Sequence, residues 1–145
     1  LHDELRRQRQ MCIRDRVDID EKRFPEGSTS NFSKVIALDP ALIASHAPNN
    51  AYHVIITHSH PLDEAICFAL LSKDQFRFCG LIGSKTKNAR FRSRLSKMGI
   101  KDEQLKKLTC PIGIDEINSK QPVKVAISIA AQLSIWQETN GIRVV

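Results

Sequence analysis

The sequence has no apolar run near the ~18 residues that a membrane-spanning helix needs; its longest apolar stretch is Ala65–Leu71, and others such as Val54–Ile56 are shorter still. No apolar leader ahead of a small-residue cleavage site is visible at the charged start. The four cysteines (Cys12, Cys67, Cys79, Cys110) are scattered, with no C-x-x-C pair, which excludes a disulfide framework or a zinc knuckle. A reducing cytoplasm is the expected setting, away from membranes. The six glycines (27, 80, 83, 99, 113, 141) are dispersed and form no G-x-G-x-x-G. Repeats and low-complexity tracts are also missing.

What is present suits one α/β domain. The 145 residues are 41% hydrophobic and 26% charged, with a net charge of +6. The charge is local: Ser84–Lys107 carries nine basic residues and two acidic ones. A local anionic partner fits this better than a nucleic acid, because no exposed aromatic platform for stacking bases is evident. The solvated helix face is the plainer reading of the outer basic stripe.

Residues 1–16 (LHDELRRQRQMCIRDR) have no core periodicity, and MCIRDR looks like a translated sequencing adapter. They are set apart from a domain at 17–139 and a tail at 140–145; the alternative is a basic N-terminal helix.

Apolar runs place strands at Val17–Asp20, Lys34–Leu38, Ala51–Thr57 and Phe76–Ile82. The Lys34–Leu38 strand is expected to be buried, and Ala51–Thr57 to be buried on both faces. Asp39-Pro40 caps a short helix over Ala41–His46. A helix from Pro61 turns Leu62, Ala65, Ile66, Ala69 and Leu70 to the core. A basic helix from Gly83-Ser84 to Met98-Gly99 has Phe91, Leu95 and Met98 inside and Lys87, Arg90, Arg94 and Lys97 outside. Asp102–Leu108 forms a short helix, Cys110–Gly113 a turn, and Val123–Trp136 a helix packed deep in the fold. Strand–helix alternation predicts a doubly wound, three-layer parallel sheet, which binds ligands beyond the carboxyl ends of its strands.

That rule selects Asp20, the stretch Thr57-His58-Ser59-His60, and Gly83-Ser84-Lys85. Asp20 suits a ribose hydroxyl, or is a solvated turn carboxylate. Around Thr57–His60, free N–H groups at a helix start attract an oxyanion; a metal held by His58, His60 and Asp63 is the less favoured reading, and a simple helix cap the plain one. Gly83 lets a ligand approach the backbone, and Lys85 adds positive charge. Gly83-Ser84-Lys85-Thr86 lacks the upstream spacing of a phosphate loop. Cys110 is either a reactive thiol or soft ligand, or an inert packed one; Cys67 and Cys79 are expected in the core.

Three phrases, VIITHSHPLDEAIC (Val54–Cys67), FCGLIGSKTKNARFRSRL (Phe78–Leu95) and LTCPIGIDEINSKQPVKVAISIAAQL (Leu108–Leu133), resemble the C-terminal Rossmann domain of the xanthine dehydrogenase accessory protein family (XdhC/CoxI). The resemblance runs from about Val17 to Leu133. It implies a maturation factor that binds molybdenum cofactor, assists its sulfuration and delivers it to an apo xanthine dehydrogenase-type hydroxylase, with a cysteine desulfurase as partner. Asp20, Thr57, His58, Ser59, His60, Gly83, Ser84, Lys85 and Cys110 become its cofactor-binding candidates. A cofactor chaperone is not expected to turn over a substrate. A NAD(P)-binding Rossmann oxidoreductase is the alternative, with His58 or His60 as acid/base. Members of the family open with a further strand and a G-x-G-H-x-G turn. Neither occurs here, so this is read as a fragment whose sheet has an open gap or edge.

Overall fold

The computed structural model describes residues 14–27 and 32–140. Residues 1–13 and 141–145, where most of the two segments set apart above fall, lie outside them. Five short strands are present: β1 (Asp15–Asp18), β2 (Ser33–Ile36), β3 (Tyr52–Ile55), β4 (Phe78–Leu81) and β5 (Leu108–Thr109). Five helices interleave with them: α1 (Pro40–Ser45), α2 (His60–Lys73), α3 (Lys85–Lys97), α4 (Asp102–Leu105) and α5 (Pro122–Thr139). β1 starts at Asp15, two residues inside the segment set apart at the N-terminus.

Local chemistry explains the helix starts. Asp39 accepts from the N–H groups of Ala41 and Leu42 at 3.1 and 3.2 Å, Ser59 from Leu62 at 3.4 Å, and Ser84 from Lys87 at 3.2 Å. Pro40, Pro61 and Pro122 occupy first turns, where a missing N–H costs nothing. α3 stops at Gly99, whose φ of +103° suits a residue without Cβ.

All strand pairs are parallel. They form two sheets, β1-β2 and β3-β4-β5. Counting the five strands as positions two to six of a Rossmann sheet, whose order is 3-2-1-4-5-6, accounts for both sheets and leaves the first position unfilled among the described residues. The core lies between β3-β4-β5 and α2, α3 and α4. It is built on Ile55, Cys67, Leu70, Leu71, Cys79, Leu81, Phe91, Leu95 and Leu108. Cys67 and Cys79 are fully buried and free. Their contact and burial push the Cys67 thiol far above its ordinary range.

Several expected burials are corrected. Leu38 is 100% and Ile36 53% exposed, and on β3 and just after it Val54 and Ile56 are 41% and 53% exposed. β2 and β3 are therefore not buried on both faces: Ile36 and Leu38, and Val54 and Ile56, are alternate residues on a face left open to solvent, while Ala37 and Ile55 on the opposite face are buried. α5 is not deep either: Val123, Ile127 and Ile135 are exposed. It is held at a few points, by Trp136 against Phe78 (ring centroids 5.5 Å apart) and by Ser128 and Gln132 on the loop after β5. Met98 caps α3 and is exposed, not part of its inner stripe. On α2 the buried face is Asp63, Ile66, Cys67, Leu70 and Leu71, rotated from the expected one, and Ala65 is exposed. β5 follows α4 where helix was expected to continue to Leu108.

Unpaired parallel edges with exposed apolar side chains favour edge-to-edge association. Ile56→Lys is expected to lower the concentration-dependent self-association of the chain in sedimentation velocity. An unchanged distribution of species would show that this edge does not drive association.

His53 provides a pH-dependent term in stability. Its ring meets Phe76 edge-on at 6.4 Å, and its Nε2 is buried without a hydrogen-bond partner among the described residues. Burial, followed by the charge of Lys73, holds its pKa below the ordinary imidazole value. The unfolded chain takes up a proton near pH 6.5 that the native state resists. This contribution is intact above that pH and falls away as the pH drops below it, by at most about 1.4 kcal/mol per pH unit. Thermal unfolding between pH 7.5 and 5.5 should show a smaller drop for His53→Phe than for wild type; equal drops would contradict this origin.

Candidate functional site

The carboxyl ends of β3 and β4 each run into a capped helix. After β3 the chain turns through Thr57-His58-Ser59 into α2. Ser59 closes that helix, and His60 and Asp63 follow at positions one and four, so they share one face. After β4, Ile82 and Gly83 lead to Ser84, the cap of α3. Lys87 and Phe91 lie one turn apart on that helix.

These two starts meet the loop after β5 around a hollow of about 20 Å3, lined by His60, Asp63, Leu81, Ile82, Gly83, Lys87, Phe91 and Cys110. Gly83 borders it without a side chain, and a Cβ there would make ordinary contact with Cys110 Sγ at 3.5 Å. The loop carrying Cys110 is fixed from two directions. Ile112 N–H donates to Leu81 O at 2.9 Å, while Gly113 and Ile114 N–H donate to Gln132 Oε1 and Ser128 Oγ at 2.7 and 2.8 Å. The Cys110–Pro111 peptide bond is cis.

Asp63 is the buried polar group of the site, 4% exposed. Its Oδ1 accepts from the Thr57 hydroxyl at 2.7 Å and the Thr57 N–H at 3.3 Å. The same hydroxyl accepts from Ser59 N–H at 3.1 Å. Thr57 thus fixes both the carboxylate and the turn that starts α2. Cys110 is half-buried and free. Burial pushes its thiol up, the nearby Arg92 guanidinium opposes that, and Asp63 adds to it. The thiol is therefore held protonated near neutrality, able to act as a soft donor once a partner displaces its proton.

The nine candidates separate on these grounds. His60, Gly83 and Cys110 line the hollow. Thr57 and Ser59 stand behind it as the supports of Asp63 and α2. Ser84 caps α3, and Lys85 and His58 are exposed; none of the three is on the hollow's wall. Asp20 lies apart on the β1-β2 sheet, where its Oδ1 caps a single 3-10 turn by accepting from Lys22 N–H at 2.9 Å. Asp63, Lys87 and Phe91 line the wall beyond that selection. Helical spacing from His60 and from Ser84 is the signal that finds them. Among the described residues no group of three or more His, Cys, Asp or Glu side chains is placed to hold a metal ion. No helix among them is long and apolar enough to cross a membrane.

The basic stripe is partly committed to structure. Arg94 pairs with Glu64 at 2.6 Å, which ties α3 to α2. Arg92 turns inward to Asn88 and to the carbonyls of Leu105 and Leu108. Lys85, Lys87 and Arg90 stay exposed along the first two turns of α3.

Comparison with curated proteins gives no match. The sequence model of the XdhC Rossmann domain family matches residues 5–133, most of the chain. With its parallel strands, crossover helices and strand-end hollow, this chain belongs to the XdhC Rossmann domain family.

Proposed function

We infer that this domain binds the molybdenum cofactor as cargo, in the cytoplasm, and hands it to an apo xanthine dehydrogenase-type hydroxylase, with a cysteine desulfurase supplying sulfur. Membership of the XdhC family supports the reading. The observation that carries it is the convergence of two helix starts, a basic helix face and a half-buried thiol on one hollow at the strand ends. That cargo is a pterin with a phosphate and an anionic, sulfur-ligated metal. Exposed cations and free N–H groups at helix starts suit its anionic parts, and a thiol suits a soft metal or its sulfur. The roles given to this chain's residues are to bind, orient and shield. Lys87 faces the anionic end, Gly83 admits the ligand against the backbone, and Cys110 stands at the rim as the soft contact.

Cofactor released anaerobically from a molybdenum hydroxylase is mixed with the chain and passed through an ultrafilter. Retention of the cofactor, read as oxidised-pterin fluorescence in the retentate, is the expected result. Passage at the rate seen with an unrelated protein of similar charge contradicts the reading.

A further inference from the structure

Asp63 is a carboxylate with one oxygen engaged and one free. Oδ1 takes both donors from Thr57. Oδ2 has no hydrogen-bond or ion-pair partner among the described residues, although the side chain is 4% exposed. Nor is it one of the fully enclosed unpartnered atoms, which are Tyr52 Oη and His53 Nε2. Asp63 lines the hollow, and Oδ2 is the one of its two oxygens left without a partner among the described residues. Such an oxygen accepts from water until a ligand seals the hollow, and then it needs an N–H or O–H donor from that ligand. Lys87 shares the wall but makes no ion pair with it.

Size limits what the donor is. A hollow of about 20 Å3 admits one water-sized group. Its floor suits an amino group, and the bulk of a larger ligand would lie at its open mouth. Beside it Gly83 has no side chain, which lets a flat ring lie against the backbone outside. The cations on the first two turns of α3 are left for the other end of the ligand.

We propose that Oδ2 of Asp63 receives an amino group of the ligand, so that the site takes an amino-substituted nitrogen heterocycle amino edge first, with its anionic end toward α3. This rests on the cofactor-binding reading and adds orientation and ligand class to it. Thr57 is the positioning residue, because its hydroxyl and N–H fix Oδ1 and so the direction of Oδ2.

Pterin and lumazine are the probes: pterin carries an amino group at C2 where lumazine carries an oxygen. Fluorescence titration of the whole chain should show pterin binding about tenfold or more tighter than lumazine, since a buried acceptor rejects an analogue without the donor. Asp63→Asn keeps an oxygen for Thr57 and turns an amide N–H2 to the hollow, so it should abolish or invert that preference. Equal wild-type affinities, no binding of either probe at millimolar concentration, or an unchanged preference in folded Asp63→Asn overturns the proposal. If the variant does not fold, the wild-type ratio decides. Cofactor retention, measured in parallel, separates the two readings. Retention without pterin preference overturns the amino-edge assignment alone. Pterin preference without retention overturns the cargo reading and leaves Asp63 as the amino acceptor.

Discussion

Arg92→Met will destabilise the domain by about 3–5 kcal/mol, the largest effect of any single change outside the apolar core. Arg92 sits midway along α3 and is turned inward. Its Nε donates to Asn88 Oδ1 at 2.7 Å, and its two terminal nitrogens donate to Leu105 O and, at 2.6 Å, Leu108 O. Leu105 ends α4 and Leu108 begins β5, both buried. One guanidinium therefore satisfies the carbonyls at a helix end and a strand start that have little access to water. Methionine fills similar space but offers no donor. Each charge-assisted bond contributes about 1.5–3 kcal/mol, and orphaned buried carbonyls cost more than the bond itself. Arg90→Met, two residues away and exposed, is the control and should stay within about 0.5 kcal/mol of wild type. Urea unfolding at pH 7 distinguishes the two. Equal midpoints for Arg92→Met and wild type would mean the carbonyls find water. The same guanidinium opposes the upward push on the Cys110 thiol, so the folded fraction of Arg92→Met should also alkylate more slowly at Cys110.

Gly113→Ala should cost about 2–4 kcal/mol, from two causes that add. The residue has φ of +109°, outside the range an alanine adopts without strain. Its new Cβ would also collide with Ser128 Oγ. Ser128 is 5% exposed and bonded to both the N–H and the carbonyl of Ile114. It cannot retreat without giving up those bonds, each worth about 1 kcal/mol. The consequence is specific to α5, which this loop anchors. Trp136, the single tryptophan, packs on Phe78 and reports on it. Its fluorescence should lose its native signal at lower urea in Gly113→Ala than in wild type. Coincident curves would show that α5 does not depend on the loop.

Much of this architecture was readable from residue types. Runs such as KVIAL and AYHVIIT placed strands correctly to within a few residues, and Asp39-Pro40 marked a helix start. Exposure was not readable in the same way. Whether Val54, Ile56 or Ile127 is covered depends on what lies across from it, and periodicity is blind to that. A strand as short as Leu108–Thr109 has no pattern of its own; it exists because β4 offers it an edge. The rule about strand ends selected the two turns that border the hollow but not most of the side chains on its wall. Side chains leave a helix at fixed angular steps, so the residues on the hollow are set by helix phase. That phase selects His60 and Asp63 on α2 and Lys87 over Lys85 on α3, while His58 lies in the turn before α2 begins.

Gly83 provides the most direct test of the hollow as a ligand site. An alanine there makes ordinary contact with Cys110 Sγ, so it should leave the fold intact and weaken cofactor binding less than a larger side chain does. Leucine fills the space where the ligand enters. The decisive measurement is anaerobic equilibrium binding of molybdenum cofactor to Gly83→Leu, with its unfolding midpoint recorded alongside. The account predicts at least tenfold weaker binding in a protein that remains folded, the loss of roughly 1.4 kcal/mol or more. Wild-type affinity in folded Gly83→Leu would place the cofactor somewhere other than this hollow.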